Sequence, residues 1–94
     1  MSNVADPPTA ADIEQWLHVL VAELVKLPVA DIERDVPFTE YGLDSIYVEG
    51  LCGEIEERYA VRAEASLVWD HPTLRTLTKA LLSLISNPER NAEP

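Results

Sequence analysis

The sequence predicts an all-α fold, a small four-helix bundle of three main helices and one short one, with a long loop between the first and second helices. Three observations carry this. Apolar residues recur at spacings of three and four in three separate segments, the helical period. Only three glycines occur in 94 residues, too few for the turns of a β fold. Proline and small polar residues fall between the periodic segments and at both ends, where helices are not sustained.

The first helix is expected to begin at Thr9, whose hydroxyl caps free backbone amides while Asp12 completes a Thr-x-x-Asp box. Ile13, Leu17, Leu20 and Leu24 form its apolar stripe, widened by Trp16 and Val21, and Pro28 marks its end. The loop from about Pro28 to Leu43 is long for a helical bundle, and Val29, Ile32, Val36 and Phe38 are its expected anchors. A second helix starts at Asp44 or Ser45 and runs to about Tyr59, with Val48, Leu51, Ile55 and Tyr59 inward. Gly50 and Gly53 each cost ~1 kcal/mol relative to alanine there, so tertiary packing is expected to support the segment. A short turn of helix follows around Ala65–Val68. The last helix starts near Pro72-Thr73 and carries Leu74, Leu77, Leu81, Leu84 and Ile85 on one face. Residues 1–8 and 87–94 read as flexible tails around one domain, residues 9–86.

Composition narrows the function classes. Seventeen acidic residues against seven basic ones give a net charge of −10, which argues against nucleic acid and anionic membrane surfaces and in favour of basic partners. With 47% hydrophobic residues the chain is not a disordered acidic tail, yet no run approaches the ~18 apolar residues of a membrane span. One cysteine, Cys52, forms no internal disulfide, and with His18 and His71 it falls short of a metal-ligand cluster. A reducing cytoplasm suits such a chain.

Local motifs narrow it further. Asp31-x-Glu33-x-Asp35 resembles the start of a calcium loop, but Val36 stands where that loop needs glycine and Gly42 where it needs glutamate. A serine hydrolase would need His71 brought to Ser45, and nothing in the sequence does so. The segment Glu40-Tyr41-Gly42-Leu43-Asp44-Ser45-Ile46 is more informative. It sets a serine hydroxyl at a helix start, after a glycine-containing loop and beside a carboxylate. Two readings fit those residues. Asp44 can be an ordinary cap with Ser45 in the first turn, or the unpaired amides and positive pole of the helix can favour a phosphate ester on Ser45.

Gly42-Leu43-Asp44-Ser45-Ile46 resembles the Gly-x-Asp-Ser-Leu/Ile attachment motif of acyl carrier proteins. Leu67-Val68-Trp69-Asp70-His71-Pro72-Thr73-Leu74 is similar to the segment that joins the third and fourth helices of polyketide synthase carrier domains. The two motifs stand in the family's order, and the resemblance covers roughly residues 10–86. Peptidyl carriers usually have Gly-Gly-x-Ser at the attachment point, so Leu43-Asp44 resembles the acyl type.

The resemblance implies a non-catalytic module. Ser45 would receive a 4′-phosphopantetheine arm from a phosphopantetheinyl transferase that uses coenzyme A and Mg²⁺, and the arm would carry acyl or polyketide intermediates as thioesters between biosynthetic enzymes of secondary metabolism. Asp44 would help position the transferase and its metal, Gly42 and Leu43 would shape the entry loop, and Ile46, Tyr47, Glu49, Glu56 and Glu57 would meet partners. Those partners include the transferase, ketosynthases and acyltransferases, with the domain itself a monomer. Cys52 is not the reactive sulfur in such a scheme.

Between Glu40 and Glu57 there are six acidic residues and no basic one, which gives that side of the module a negative field able to steer basic partners. Two positions differ from fatty-acid carriers: Tyr47 and Gly50 replace acidic residues two and five places after the serine. Leu51 replaces a tryptophan associated with carriers used in β-branching, so that acceptor role is not assigned. The rival reading is a non-carrying helical interaction module with a carrier-like fold, which would have no need of a modifiable serine.

Overall fold

A computed structural model describes residues 7–86; the expected tail at 87–94 and residues 1–6 of the one expected at 1–8 lie outside them. Four helices follow in order: α1 (Ala10–Val25), α2 (Ser45–Tyr59), α3 (Ala65–Asp70) and α4 (Leu74–Ser86). Two short 3₁₀ turns, Val29–Asp31 and Phe38–Tyr41, shape the loop between α1 and α2. None of the described helices is long and apolar enough to cross a membrane.

α1 starts as its sequence dictates. The Thr9 hydroxyl accepts the Asp12 N–H and the Asp12 carboxylate accepts the Thr9 N–H, both at 3.1 Å. Its end differs from the expectation. Lys26 closes the helix two residues before Pro28 by taking the left-handed conformation (φ 62°), so that its N–H and that of Leu27 both reach the Ala22 carbonyl. The buried stripe is also rotated. Ile13, Leu17, Val21 and Ala22 are fully covered, while Leu20 and Leu24 are only partly so. The reason is that α1 packs chiefly against α4 and is covered on its flank by the loop, whose Ile32 joins the same core.

Of the four expected loop anchors, Ile32 and Phe38 are buried and Val36 is half-buried, but the Val29 side chain is exposed. Its carbonyl serves instead, accepting from His18 Nε2 at 2.8 Å. Leu43 is a further anchor, 2% exposed and two residues before Ser45.

α2 buries Val48, Leu51 and Ile55 as expected, and Cys52 with them. Trp16 of α1 meets Tyr59, the last residue of α2, edge-to-face with ring centroids 5.4 Å apart. α3 runs two residues beyond its expected end. α4 begins just after Pro72: Thr73 and Thr76 exchange backbone-to-hydroxyl bonds at 3.1 Å, and this reciprocal cap, rather than a first-turn proline, starts the helix. Leu74, Leu77 and Leu81 form its buried face, with Leu84 and Ile85 partly covered.

Packing does not explain the glycines of α2. A Cβ at Gly50 or Gly53 would meet no atom within 4 Å, so neither is needed for a close approach inside the domain. Gly50→Ala should therefore raise the unfolding free energy by ~0.4–1 kcal/mol. Urea denaturation checks this, and a loss of stability would show that the outer side of α2 is more crowded than described.

Candidate functional site

Ser45 stands at the first position of α2, exposed, at the end of a turn whose every residue has a structural task. The 3₁₀ turn Phe38–Tyr41 ends at Gly42, which adopts φ 92°, a region where a side chain is strained. The Gly42 N–H reaches back to the Thr39 carbonyl at 3.1 Å, and the Leu43 N–H to the Phe38 carbonyl at 3.3 Å. Leu43 then points into the core while Asp44 and Ser45 emerge at the surface. Glycine reverses the chain, leucine pins it, and the serine is presented.

Asp44 caps the helix. Its Oδ1 accepts the Ile46 N–H at 3.1 Å and the Tyr47 N–H at 3.2 Å, and its carbonyl accepts the Val48 N–H at 2.9 Å. This corrects one expectation. Those amides are taken by the cap, so a phosphate on Ser45 would draw on the partial positive pole of α2 rather than on the N–H groups of Ile46 and Tyr47.

Around the serine the predicted contact residues separate by exposure. Ile46 is 78% exposed, an isolated apolar side chain directly beside Ser45. Tyr47 is half-buried and packed against the core, so only part of it faces outward. Glu49, Glu54 and Glu57 are exposed, as is Glu40 in the preceding turn. Glu56 is exposed as a residue, but its Oε2 accepts the Ala63 N–H at 2.8 Å and so also closes the connection to α3. Ile46, Gly50, Gly53 and Glu57, spaced four, three and four, run along the side of α2 opposite its buried face, flanked by the remaining glutamates. The sequence singled out the two glycines as a cost; the structure adds that they leave bare backbone on this outer stripe.

The first basic residue after this run is Arg58, near the other end of α2. Its guanidinium lies 5.8 Å from the Trp16 ring centroid and 5.7 Å from that of Tyr59. At ~1.5 Å per residue it is about 20 Å along the helix from Ser45. Cys52 faces inward, and burial first, then Glu56 and Glu49, pushes its thiol above its ordinary pKa.

The second sequence motif has a seat in this site that spacing alone did not reveal. The Phe38 N–H donates to the Pro72 carbonyl at 2.8 Å, which fastens the start of the serine-bearing turn to the segment between α3 and α4. Trp69 is 44% exposed and His71 is half-buried at the end of α3, where its N–H closes the helix onto the Leu67 and Val68 carbonyls.

Comparison with known proteins agrees with this arrangement. A family model described as "Phosphopantetheine attachment site" matches residues 15–81. The mellein synthase of Phaeosphaeria nodorum is 29% identical over 76 residues, covering 76% of this chain and 4% of the synthase, so the chain spans only a small fraction of that relative's length. Among solved structures, the acyl carrier protein LipD from Actinoplanes friuliensis is similar at a TM-score of 0.72 and 38% identity, covering 90% of this chain and 94% of that one. A free-standing peptidyl carrier protein from a secondary metabolic pathway of Acinetobacter baumannii is similar at a TM-score of 0.76 and 34% identity, covering 79% and 92%. With a serine-presenting turn, a four-helix carrier fold and a family match over most of its length, the chain belongs to the phosphopantetheine-binding carrier family, non-catalytic carrier proteins whose prosthetic group is 4′-phosphopantetheine.

Proposed function

We propose that this carrier holds its phosphopantetheine arm on Ser45 and serves a polyketide-type assembly line, passing acyl intermediates between separate enzymes. The observation that carries the reading is the exposed hydroxyl of Ser45 at the positive end of α2, directly after Asp44 in Gly42-Leu43-Asp44-Ser45-Ile46. The surroundings fit such an arm: the hydroxyl is open to an incoming enzyme, and the helix pole favours the phosphodiester. When bound, the arm supplies a terminal thiol that holds acyl groups as thioesters. The protein's own residues present that thiol and do no chemistry on it. The aspartate before the serine supports the acyl rather than the peptidyl type, and 31% identity over 68 residues to the polyketide synthase PksL of Bacillus subtilis supports the pathway.

Asp44 and Ile46 flank the attachment point, and with Glu49, Glu57 and the outward part of Tyr47 they make the surface a phosphopantetheinyl transferase, ketosynthase or acyltransferase would meet. Glu56 contributes charge to that surface while holding Ala63. Exposed charges of one sign raise encounter rates more than they tighten complexes, which suits a carrier that must be released from each partner. We place this traffic in the cytoplasm with the domain as a monomer, since its reactive group is carried on an arm and requires no second subunit.

Two measurements test the reading. Thiol labelling of the native protein with a maleimide should be slow before loading, because Cys52 is buried with a raised pKa, and should gain one fast-reacting thiol after loading by a phosphopantetheinyl transferase with coenzyme A. No new fast thiol would overturn it. Glu49→Lys should lower kcat/KM with a basic partner enzyme by roughly 3- to 10-fold at low salt, with the difference shrinking as ionic strength rises. Unchanged kinetics at low salt would remove Glu49 from the contact surface.

A further inference from the structure

The loop that delivers Ser45 is clipped at two adjacent residues to two different helices. The Arg34 side chain pairs with Glu14 of α1, and the Arg34 carbonyl accepts the Arg75 N–H of α4 at 3.0 Å. Asp35, the next residue, takes both arms of the Arg75 guanidinium, Nε to Oδ1 at 2.6 Å and Nη2 to Oδ2 at 3.0 Å. Three residues on, Phe38 is held by Pro72, and Tyr41 closes the loop on itself by accepting the Glu33 N–H on its hydroxyl at 2.7 Å. A further tie, from His18 to the Val29 carbonyl, holds the start of the loop, but those at Arg34, Asp35, Phe38 and Tyr41 lie between Glu33 and Tyr41, immediately before the turn that presents the serine.

Arg75 is an unexpected residue at its place. It sits in the first turn of α4, where the positive pole of the helix disfavours a cation, so the helix's own stability does not explain it. The bidentate fork does, because a planar guanidinium matched to a carboxylate fixes direction as well as distance. The two side chains remain 46% and 67% exposed, and an exposed pair of this kind adds little to global stability. The pair constrains instead the path the loop takes from α1 to Gly42. In keeping with this, the Arg75 hydrogen bond holds the Asp35 carboxyl below its ordinary pKa.

We propose that the Arg75–Asp35 fork is a positioning device for phosphopantetheine attachment: it keeps the loop seated on α4, so that the Gly42–Ser45 turn is presented in the one conformation a phosphopantetheinyl transferase accepts. The proposal rests on the reading of Ser45 as the attachment residue. Neither Arg75 nor Asp35 touches the reacting hydroxyl; both act through Phe38 and the turn that follows.

A turn that is only fractionally in its competent conformation weakens apparent affinity by that fraction and leaves turnover at saturation unchanged. The test is steady-state loading of the full chain by a phosphopantetheinyl transferase with coenzyme A, for wild type, Arg75→Asp, Asp35→Arg and the double swap, with Tm measured alongside. Arg75→Asp opposes two carboxylates across the clip, and its KM for the carrier should rise about fivefold while kcat and the KM for coenzyme A stay put. Its Tm should not fall, because an acid suits the first turn of α4. The double swap, which rebuilds the fork in reverse, should return the carrier KM to within about twofold of wild type. An unchanged KM in Arg75→Asp overturns the positioning role, as does a KM that rises in step with a falling Tm and is not restored by the swap. Both of those outcomes leave the carrier reading standing. A wild type that takes no phosphopantetheine overturns that reading, and the proposal with it.

Discussion

Phe38→Ala should lower the unfolding free energy by about 3–5 kcal/mol, the range for removing a fully buried aromatic side chain from a packed core. Phe38 is the only phenylalanine of the sequence and is 2% exposed. It plugs the core from the loop side, among residues contributed by all four helices. A domain of this size has a total stability of only roughly 4–12 kcal/mol at ~0.05–0.15 kcal/mol per residue, so the variant should stand near its midpoint in mild urea. The local consequence is larger still. Phe38 opens the 3₁₀ turn that leads to Gly42 and bonds Pro72 through its N–H, so losing the side chain that seats it should loosen both. Amide exchange at the Phe38, Gly42 and Leu43 N–H groups should therefore accelerate more than exchange in α1. A stability loss below ~1 kcal/mol would show that the loop is held by its polar ties alone. Phe38→Leu keeps most of the volume and should fold, which separates loosening of the turn from global unfolding.

The parts of this structure that were legible in the sequence are those governed by local periodicity. Thr9 with Asp12, Val48 with Leu51 and Ile55, and Leu74 with Leu77 and Leu81 lie within one or two turns of each other, and their spacing fixes which side of each helix turns inward. The Asp44 cap of α2 was legible for a similar reason, whereas the burial of Leu43 appeared only in the structure. What stayed hidden depends on long-range contact. The rotation of α1 that buries Ala22 and leaves Leu20 and Leu24 only partly covered follows from where α4 and the loop lie against it. Val29 anchors through a carbonyl, and Phe38 is tied to Pro72 through its amide; backbone groups carry no residue signature. The bond from Arg75 to Asp35 spans 40 residues, and nothing in the neighbourhood of either announces the other. Lys26 and Ala60 end their helices in left-handed conformations that glycine or asparagine would have signalled, so both ends were placed by other cues.

Ser45→Ala should abolish phosphopantetheine attachment with little effect on the fold. The helix is capped by Asp44, not by Ser45, and alanine is a good residue in the first turn. The substitution removes one hydroxyl from an exposed position, where changes are usually within ±0.5 kcal/mol, so a failure to load cannot be attributed to unfolding. Asp44→Ala is a less clean probe, because it deletes a cap worth ~1 kcal/mol along with any role toward the transferase. The two variants together separate the nucleophile from its support.

Intact-mass measurement after incubation with a phosphopantetheinyl transferase, Mg²⁺ and coenzyme A tests most directly whether Ser45 is the attachment residue. Wild type should gain the mass of a single phosphopantetheine and Ser45→Ala none. A wild type that stays unmodified while a control carrier is loaded, or a Ser45→Ala variant that is still modified, would contradict it.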